Sequence, residues 1–338
     1  MRANRMMRLL ASSVILGLLG SGTVLGQTPP NPELPPVEVR PNVGPQTEDF
    51  GPPYSTSGEY DPYGNPGLSW RSDELTSDSE LVGPYGQPVW TTQRPFATTR
   101  AYVLPAGTYE VSQWIRPTWE RGEKPKFRML EELAIGLPGR FQLDIYERWN
   151  IEKDIDDNNN AHHEGVQIEG RWALADWGVL PLNPTIYAEW LERGGPQDKP
   201  NKYEIKLLLA DQYFCDRLFF ASNVILEQET ADERETEIAW SCGFATPIIE
   251  RKLMAGFETN LSATNVHGSR GDYEWSFMIG PSMQWRPTNR TFVDLVGLFG
   301  ATEDSPEAQM YLIFGYQFGT RAAPFSGSIS GPASTRGN

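Results

Sequence analysis

The sequence predicts an all-β fold, a transmembrane antiparallel up-and-down β-barrel of about twelve strands preceded by a disordered Pro-rich arm. Three observations support this prediction: segments of about ten residues alternate apolar and polar side chains, the connections between them alternate in character, and the last segment reads QMYLIFGYQF. In that segment Met310 and Phe314 share an apolar face, whereas Gln309 and Gln317 lie on the other. A strand between lipid and a wet lumen needs two such faces.

Residues 1–26 have the layout of a cleaved signal peptide. A basic start, MRANRMMR, precedes the apolar run LLASSVILGLLG, and small residues lead to a cut after Gly26. The apolar run is too short to span a bilayer comfortably as a helix. We therefore expect export to the cell outer membrane. The formal net charge of −15 argues against a nucleic-acid partner, since phosphates require a basic face.

Residues 27–107 are predicted to form a disordered, Pro-rich periplasmic arm. They hold 15 of the 28 prolines and contain no run of alternating apolar residues. Residues 320–338, rich in Gly, Ser and Pro, are predicted to be a flexible C-terminal tail. The barrel is therefore assigned to residues 108–319.

Twelve strands follow the arm, an even number, as bacterial single-chain barrels require. Their predicted spans are 108–120, 127–137, 141–151, 164–175, 183–193, 202–211, 216–228, 235–246, 250–262, 273–286, 290–301 and 308–319.

The connections between these strands alternate between polar, charged loops and tighter or more apolar turns. The polar loops are ERGEKPK, EKDIDDNNNAHHE, ERGGPQDKPN, EQETADERETE, SATNVHGSRGD and ATEDSPE, and the turns are LPGR, ADWGVLPLN, DQYFCD, TPIIE and RPTN. Long outer loops and short periplasmic turns produce this rhythm. We expect Asp156, Asp232 and Asp304 outside the cell, and Pro138 and Thr288 on the periplasmic side.

Strand register can be predicted because directly opposed residues share a face. A three-residue loop, 138–140, would pair Leu137 with Phe141 and allow Gly139 a left-handed conformation. In the next hairpin we expect Asp144 opposite Arg171, or, after a slip of two residues, Arg148 opposite Glu169.

The two cysteines of this exported chain raise the question of a disulfide. A turn near 231–232 places Cys242 opposite Ala221 and Cys215 near the level of Ile248. Six residues along a strand is about 20 Å, beyond the reach of a disulfide, so two free thiols are expected.

The region from about 108 to 319 resembles porin-like bacterial outer-membrane β-barrel proteins of uncharacterised activity. The similar pieces are VSQWIRPTW, ELAIGLPGRFQLDIY, PTIYAEW, FMIGPSMQW and the aromatic closing strand. The resemblance implies a fold and an address in the outer membrane, with lipid and the barrel-assembly machinery as partners. It implies no catalytic residues.

Charged residues inside the strands are predicted to face the lumen by parity. The candidate pore-lining residues are Arg116, Arg128, Glu132, Asp144, Arg148, Glu169, Arg171, Glu189, Glu258, Arg286 and Asp294. Such residues either close a small barrel with ion pairs or select solutes at a constriction.

No catalytic residue, metal site or cofactor is predicted. The three histidines, His162, His163 and His267, are assigned to outer loops, away from any serine at a lipid boundary. The acidic run 154–160 starts like a calcium loop but lacks its glycine and final glutamate at the required positions.

The predicted function is passive passage of small solutes through a narrow, weakly cation-preferring pore, since the outer loops are acidic. A non-conducting structural barrel whose arm contacts envelope components is the second hypothesis. An outer-membrane enzyme is the third.

Overall fold

The computed structural model describes residues 77–153, 159–194, 199–214, 216–231, 234–265 and 271–319. Its elements, in chain order, are β1 (Leu81–Val82), β2 (Gln87–Pro88), α1 (Val89–Thr92), β3 (Thr108–Trp119), β4 (Lys126–Leu137), β5 (Phe141–Lys153), β6 (Asn159–Ala173), β7 (Thr185–Arg193), β8 (Lys202–Tyr213), β9 (Leu218–Glu229), β10 (Thr236–Ile249), β11 (Leu253–Asn265), β12 (Tyr273–Trp285), β13 (Thr291–Gly300) and β14 (Ala308–Gly319).

Strands β3 to β14 form a closed antiparallel barrel in which each strand pairs with its neighbours in the chain. The barrel closes where β14 pairs with β3, with Leu312 opposite Ile115. All twelve predicted strands are present, although β6 begins at Asn159 rather than at residue 164. His162 and His163 therefore lie in a strand, not in a loop; His267 lies outside the described residues.

The outer surface of the barrel is apolar and the inner surface is largely polar. On β14, Phe314 and Tyr316 are exposed on the outside, whereas Tyr311 and Ile313 are buried inside. A continuous outward set of large apolar residues is what a lipid-facing belt requires. No helix of the described ranges is long and apolar enough to cross a membrane.

The two ends of the barrel differ in their connections. We call the end with the turns 138–140, 174–184, 214–217, 250–252 and 286–290 the short-turn end, and the opposite end the long-loop end. Pro138 and Thr288 lie at the short-turn end and Asp304 at the long-loop end, while Asp156 and Asp232 lie outside the described residues.

The register of the first short hairpin is confirmed. Leu137 pairs with Phe141 across a three-residue loop, and Gly139 has a φ of 76°. Glycine adopts this left-handed conformation without the steric cost that a Cβ imposes.

The predicted register of the β5–β6 hairpin is wrong. Asp144 lies opposite Glu169, and Gln142 lies opposite Arg171, so an acid faces an acid. Arg148 lies opposite Gly165 rather than Glu169. The ladder begins at Lys153 opposite Asn159, inside the predicted loop, and shifts by one residue beside Arg148, so the pairing differs from the expected one by two residues. The parity was right, because the side chains of Asp144, Glu169, Gln142 and Arg171 all face inward.

The predicted pairing of Cys242 is also wrong, by one residue. Cys242 lies opposite Ser222, and Ala221 lies opposite Gly243. Gly243 faces the plug, so its neighbour Cys242 faces outward and cannot lie directly opposite Ala221, which faces the lumen. Cys242 forms no disulfide, and Cys215 lies outside the described residues.

Residues 77–107, which we call the plug, differ from the expected disordered arm. Asp78 bonds the turn 250–252 at the short-turn end, Thr98 reaches Glu258 in the middle of β11, and the chain then returns to start β3 at Thr108. Trp90, Tyr102 and Leu104 of the plug are each no more than 1% exposed. The rest of the predicted arm, the signal peptide and the C-terminal tail lie outside the described residues.

One side of the plug is anchored by aromatic packing. Trp90 stacks on Phe219 with ring centroids 5.0 Å apart, and Trp177 meets the rings of Trp90 and Tyr102 edge-on at 5.9 and 5.3 Å. Trp177 belongs to the turn 174–184, which folds against the plug. This contact explains why that turn is longer than the others at its end of the barrel.

Small residues on the inner face of the strands leave space for the plug. A Cβ on Gly243 would lie 2.7 Å from Thr99 Oγ1, and one on Gly136 would lie 2.1 Å from the Pro105 carbonyl oxygen. The plug can therefore approach the strands closely, with its backbone at Gly136 and with the side chains of Thr99 and Phe96 at Gly243.

Candidate functional site

The other side of the plug is held by buried charges, first of all by Arg94. Its guanidinium lies 2.8 Å from Glu110 Oε1, 2.7 Å from Glu132 Oε1 and 3.1 Å from Asp144 Oδ2. Burial alone would lower the pKa of Arg94, but Glu132, Glu110 and Asp144 together hold it well above its ordinary value. The plug thus supplies the base that these three wall carboxylates lack in their own strands.

Arg100 makes a second, similar set of contacts. Its guanidinium lies 3.3 Å from Glu132 Oε2, 3.5 Å from Glu110 Oε1 and 3.5 Å from Asp294 Oδ2. It also lies 4.3 Å from the centre of the Trp114 ring, a cation–π distance. Charge-assisted contacts therefore join the plug to strands β3, β4 and β13.

At its deepest point the plug backbone is held by Glu258 of β11. The backbone N–H groups of Ala97 and Thr98 donate to the two carboxylate oxygens at 3.1 and 2.8 Å, and the Thr98 hydroxyl donates at 2.5 Å. Asn223 Nδ2 and Ser241 Oγ donate to the Thr98 carbonyl oxygen, each at 3.2 Å. These bonds satisfy a backbone segment that has no secondary structure of its own.

On the side of the plug that faces the long-loop end lies a partly open cavity of about 260 Å³, which we call the vestibule. Ala97, Thr98 and Arg100 of the plug form its floor, and inward side chains of the strands form its walls. The lining of the vestibule is charged, so water can enter it. The part of the lumen nearer the short-turn end, which we call the lower lumen, is filled by the plug.

Basic residues occupy one arc of the vestibule wall. Arg116, Arg128 and Arg148 come from the adjacent strands β3, β4 and β5, and Arg116 pairs directly with Arg128 across the sheet. Like charges placed directly opposite destabilise a sheet. If these charges served only to stabilise the wall, basic and acidic residues would alternate on neighbouring strands.

Acidic residues occupy another arc, on β7 to β10. Glu189 lies opposite Glu204, Glu204 opposite Glu227, and Glu227 opposite Glu237. Lys206 pairs with Glu204 at 2.6 Å. The β10 strand of Glu237 lies six strands round the ring from the β4 strand of Arg128, so the two face each other across a ring of twelve.

The structure separates the sequence-predicted lumen residues into two groups. Arg116, Arg128, Arg148, Glu169, Arg171 and Glu189 line the vestibule, whereas Glu132, Asp144, Glu258, Asp294 and Arg286 lie lower, beside or below the plug. Glu169 and Arg171 bond to each other, and Arg171 also donates to the Arg100 carbonyl oxygen at 3.2 Å. Arg286 lies just beyond β12 and bonds Gln284 at 3.1 Å.

The sequence reasoning missed Arg94 and Arg100, which lie in the segment expected to be disordered. A signal for them was present in the strands. Acids crowd the inward positions near the short-turn end, among them Glu110, Glu132 and Asp144, with Arg171 as a nearby base on the wall. Buried carboxylates in such excess require cations from elsewhere.

The described residues contain no group of three or more His, Cys, Asp or Glu side chains arranged to hold a metal ion. The vestibule and plug instead define a site of ion pairs, hydrogen bonds and a small wet cavity inside a lipid-facing wall. These features place the chain in the class of transmembrane β-barrels.

Several solved structures are similar to the barrel of this chain. The barrel is similar to an outer membrane channel from Pseudomonas putida F1, with a TM-score of 0.47 and 9% identity over 64% of this chain and 98% of that one. It is also similar to the KdgM porin (TM-score 0.41, 10% identity, 62% and 99% coverage) and to the β domain of the Bordetella autotransporter BrkA (TM-score 0.41, 10% identity, 63% and 99% coverage). These likenesses concern the barrel fold alone. No protein-family model and no curated protein sequence matches the chain.

Proposed function

We propose that this outer-membrane barrel is a narrow channel for the passive passage of small polar solutes, and that the described conformation is its closed state. The observation that carries the proposal is the vestibule, whose opposing arcs of Arg and Glu side chains end on the plug. Like-charged neighbours weaken a barrel wall, so their presence in this one favours a role in binding or passing solutes.

The character of the plug contacts supports a path through the lower lumen. Arg94 and Arg100 meet the wall through carboxylates, so a withdrawn plug would leave a charged, wettable surface on β3 to β5 rather than an apolar one. Twelve strands enclose more space than the eight whose side chains can fill a barrel, and less than the sixteen or more of a general porin. The pathway is accordingly narrow. The preference for cations that the acidic loops predict stays a prediction, because the vestibule carries both signs.

A non-conducting structural barrel is the second candidate, and the aromatic anchor favours it. Trp90, packed against Phe219 and Trp177, ties the plug to the wall through apolar contacts that no charge change would release. In that case the vestibule would be a closed cup. We further propose that residues 1–26 direct export and are cleaved.

A reversible crosslink between plug and wall tests the channel proposal. Thr99→Cys and Gly243→Cys, with Cys215 and Cys242 changed to Ser, bring two thiols within disulfide reach, since Thr99 Oγ1 lies 2.7 Å from a Cβ at 243. In planar bilayers we expect openings that oxidation abolishes and a reductant restores. Thr99→Cys alone and Gly243→Cys alone are the controls, and neither should respond to oxidation. The second accounts for the added Cβ, which would lie 2.8 Å from Phe96 Cδ1 of the plug.

Openings that persist after complete crosslinking would show that solutes do not pass the plug. Silence of the folded protein in both redox states, together with silence of a variant with a weakened plug, would favour the non-conducting barrel.

A further inference from the structure

A cluster of arginines near the long-loop end of the lumen surrounds a single carboxylate. Glu164 of β6 lies 3.3 Å from Arg128, 3.4 Å from Arg148 and 3.8 Å from Arg193. Arg116, directly opposite Arg128 on the neighbouring strand, adds a fourth guanidinium. Side chains from four strands, with Glu164 on a fifth, thus converge at one level of the barrel.

The negative charge at this cluster does not match the positive charge. Arg193 has a second carboxylate, Glu229, at 3.4 Å. Among the residues that the structure describes, Arg116 forms no ion pair; it lies 5.8 Å from the centre of the Tyr311 ring, and its buried Nε has no acceptor. Arg116 and Arg128 therefore repel each other across the sheet with too little counter-charge between them.

The remaining polar partners of the cluster are neutral. Arg128 donates to Asn150 Oδ1 at 3.2 Å, and Arg148 donates to Gln167 Oε1 at 2.7 Å. These amide oxygens fix the direction of the guanidinium groups without neutralising them. A fixed array of N–H donors carrying excess positive charge is prearranged to receive an anion.

The same arginines line the vestibule, which gives a ligand access to them. Arg116, Arg128 and Arg148 all face its volume of about 260 Å³, which suits a small solute and excludes a polymer as a fully enclosed ligand. Guanidinium groups bind planar carboxylates and tetrahedral phosphates through paired hydrogen bonds, and they do so most strongly where water is scarce.

We propose that Arg116, Arg128 and Arg148 form a binding site for the carboxylate or phosphate group of a small solute. The site deepens the proposed channel function by naming the chemical class of the solute. Its occupancy does not depend on conduction, however, because the vestibule lies above the plug. A barrel that never conducts would still bind such an anion, so the two proposals fail separately.

Titration calorimetry of the full chain in detergent, in a buffer low in chloride, tests the site with acetate and with inorganic phosphate. Acetamide serves as the neutral analogue of acetate. We expect saturable binding of at least one anion and none of acetamide. Arg116→Gln should weaken the binding about tenfold, because one charge-assisted contact is lost.

Two further variants separate ligand binding from a structural role. Glu164→Gln should tighten anion binding, because it removes the carboxylate that competes for Arg128 and Arg148; a purely structural role of these ion pairs predicts no tightening. Arg217→Gln, an exposed arginine at the short-turn end, is the matched control and should leave the affinity unchanged.

The choice between acetate and phosphate identifies the ligand group, and either result supports the site. The proposal is overturned if wild-type protein binds neither anion at concentrations on the order of 50 mM. It is also overturned if Arg116→Gln and Arg128→Gln, both shown to be folded, bind with wild-type affinity. Should Glu164→Gln fail to fold, these two variants still decide the question.

Discussion

Replacing Arg94 by methionine should release the charged side of the plug. The side chain is 2% exposed and contacts Glu110, Glu132 and Asp144, whose side chains are fully buried. Methionine preserves much of the length and removes the charge. Glu110 and Glu132 would then share Arg100 of the plug, and Asp144 would keep only Arg171 of the wall, at 3.7 Å.

The magnitude follows from the cost of leaving buried charges without a partner. Breaking one buried ion pair costs about 3–5 kcal/mol. Arg100 remains 3.3 Å from Glu132 and 3.5 Å from Glu110, so we take the lower end of that range. A loss of about 3 kcal/mol in docking free energy raises the undocked population by roughly 100-fold. Acidification should partly reverse the effect, because protonated carboxylates no longer require a base.

Hydrogen exchange of the Ala97 and Thr98 amides, which donate to Glu258, reports plug docking directly. Their exchange should accelerate by roughly 100-fold in Arg94→Met, with a parallel rise in the open probability in bilayers. Arg140→Met is the control, because its ion pair with Asp176 is exposed and worth about 0–1 kcal/mol. Exchange and open probability unchanged in a folded Arg94→Met protein would refute the role of this ion-pair cluster.

Three further predictions concern topology, pH and the cysteines. With an impermeant thiol reagent on intact cells, a cysteine at Asp304 should be labelled and one at Thr288 protected; the reverse pattern would invert the barrel. Burial raises the pKa of Asp78, whose Oδ2 accepts from a backbone N–H of the 250–252 turn, so the attachment of the plug there should be strongest below the ordinary pKa of Asp and weaken as pH rises through the raised value. Asp78→Asn should remove this dependence of hydrogen exchange on pH, and an unaltered profile would contradict the assignment. Non-reducing mass spectrometry should find no peptide joining Cys215 to Cys242; such a peptide would contradict the register of β9 and β10.

The barrel was predictable because its signals are local and repeated. The alternation of Met310 and Phe314 with Gln309 and Gln317 sets the face of one strand independently of the others, and eleven more strands repeat the test. The short loop after Leu137 likewise specified its own register through a left-handed glycine.

The plug was not predictable from local pattern because what orders it lies far away in sequence. Arg94 meets Asp144 and Thr98 meets Glu258. Strand parity places the two acids in the lumen, but no periodic pattern marks the plug residues that meet them. The register of β5 and β6 failed for a related reason. The ladder begins at Lys153 opposite Asn159, inside the predicted loop, and shifts by one residue beside Arg148, and no hydrophobic pattern marks either position.

The sequence predicted the face on which the clustered arginines lie but not their convergence. Parity placed Arg116, Arg128 and Arg148 on the inner face, as the structure has them. Their convergence on Glu164 depends on barrel closure and on the relative levels of neighbouring strands, which the sequence does not state.

The central claim is that a conducting path exists and that the plug closes it. The most direct test is the conductance in planar bilayers of a chain that lacks residues 77–104, compared with the full chain, after both are shown to be folded barrels. We expect steady ionic current through the shortened chain and brief, rare openings of the full one. A folded, shortened barrel that passes no current would contradict it.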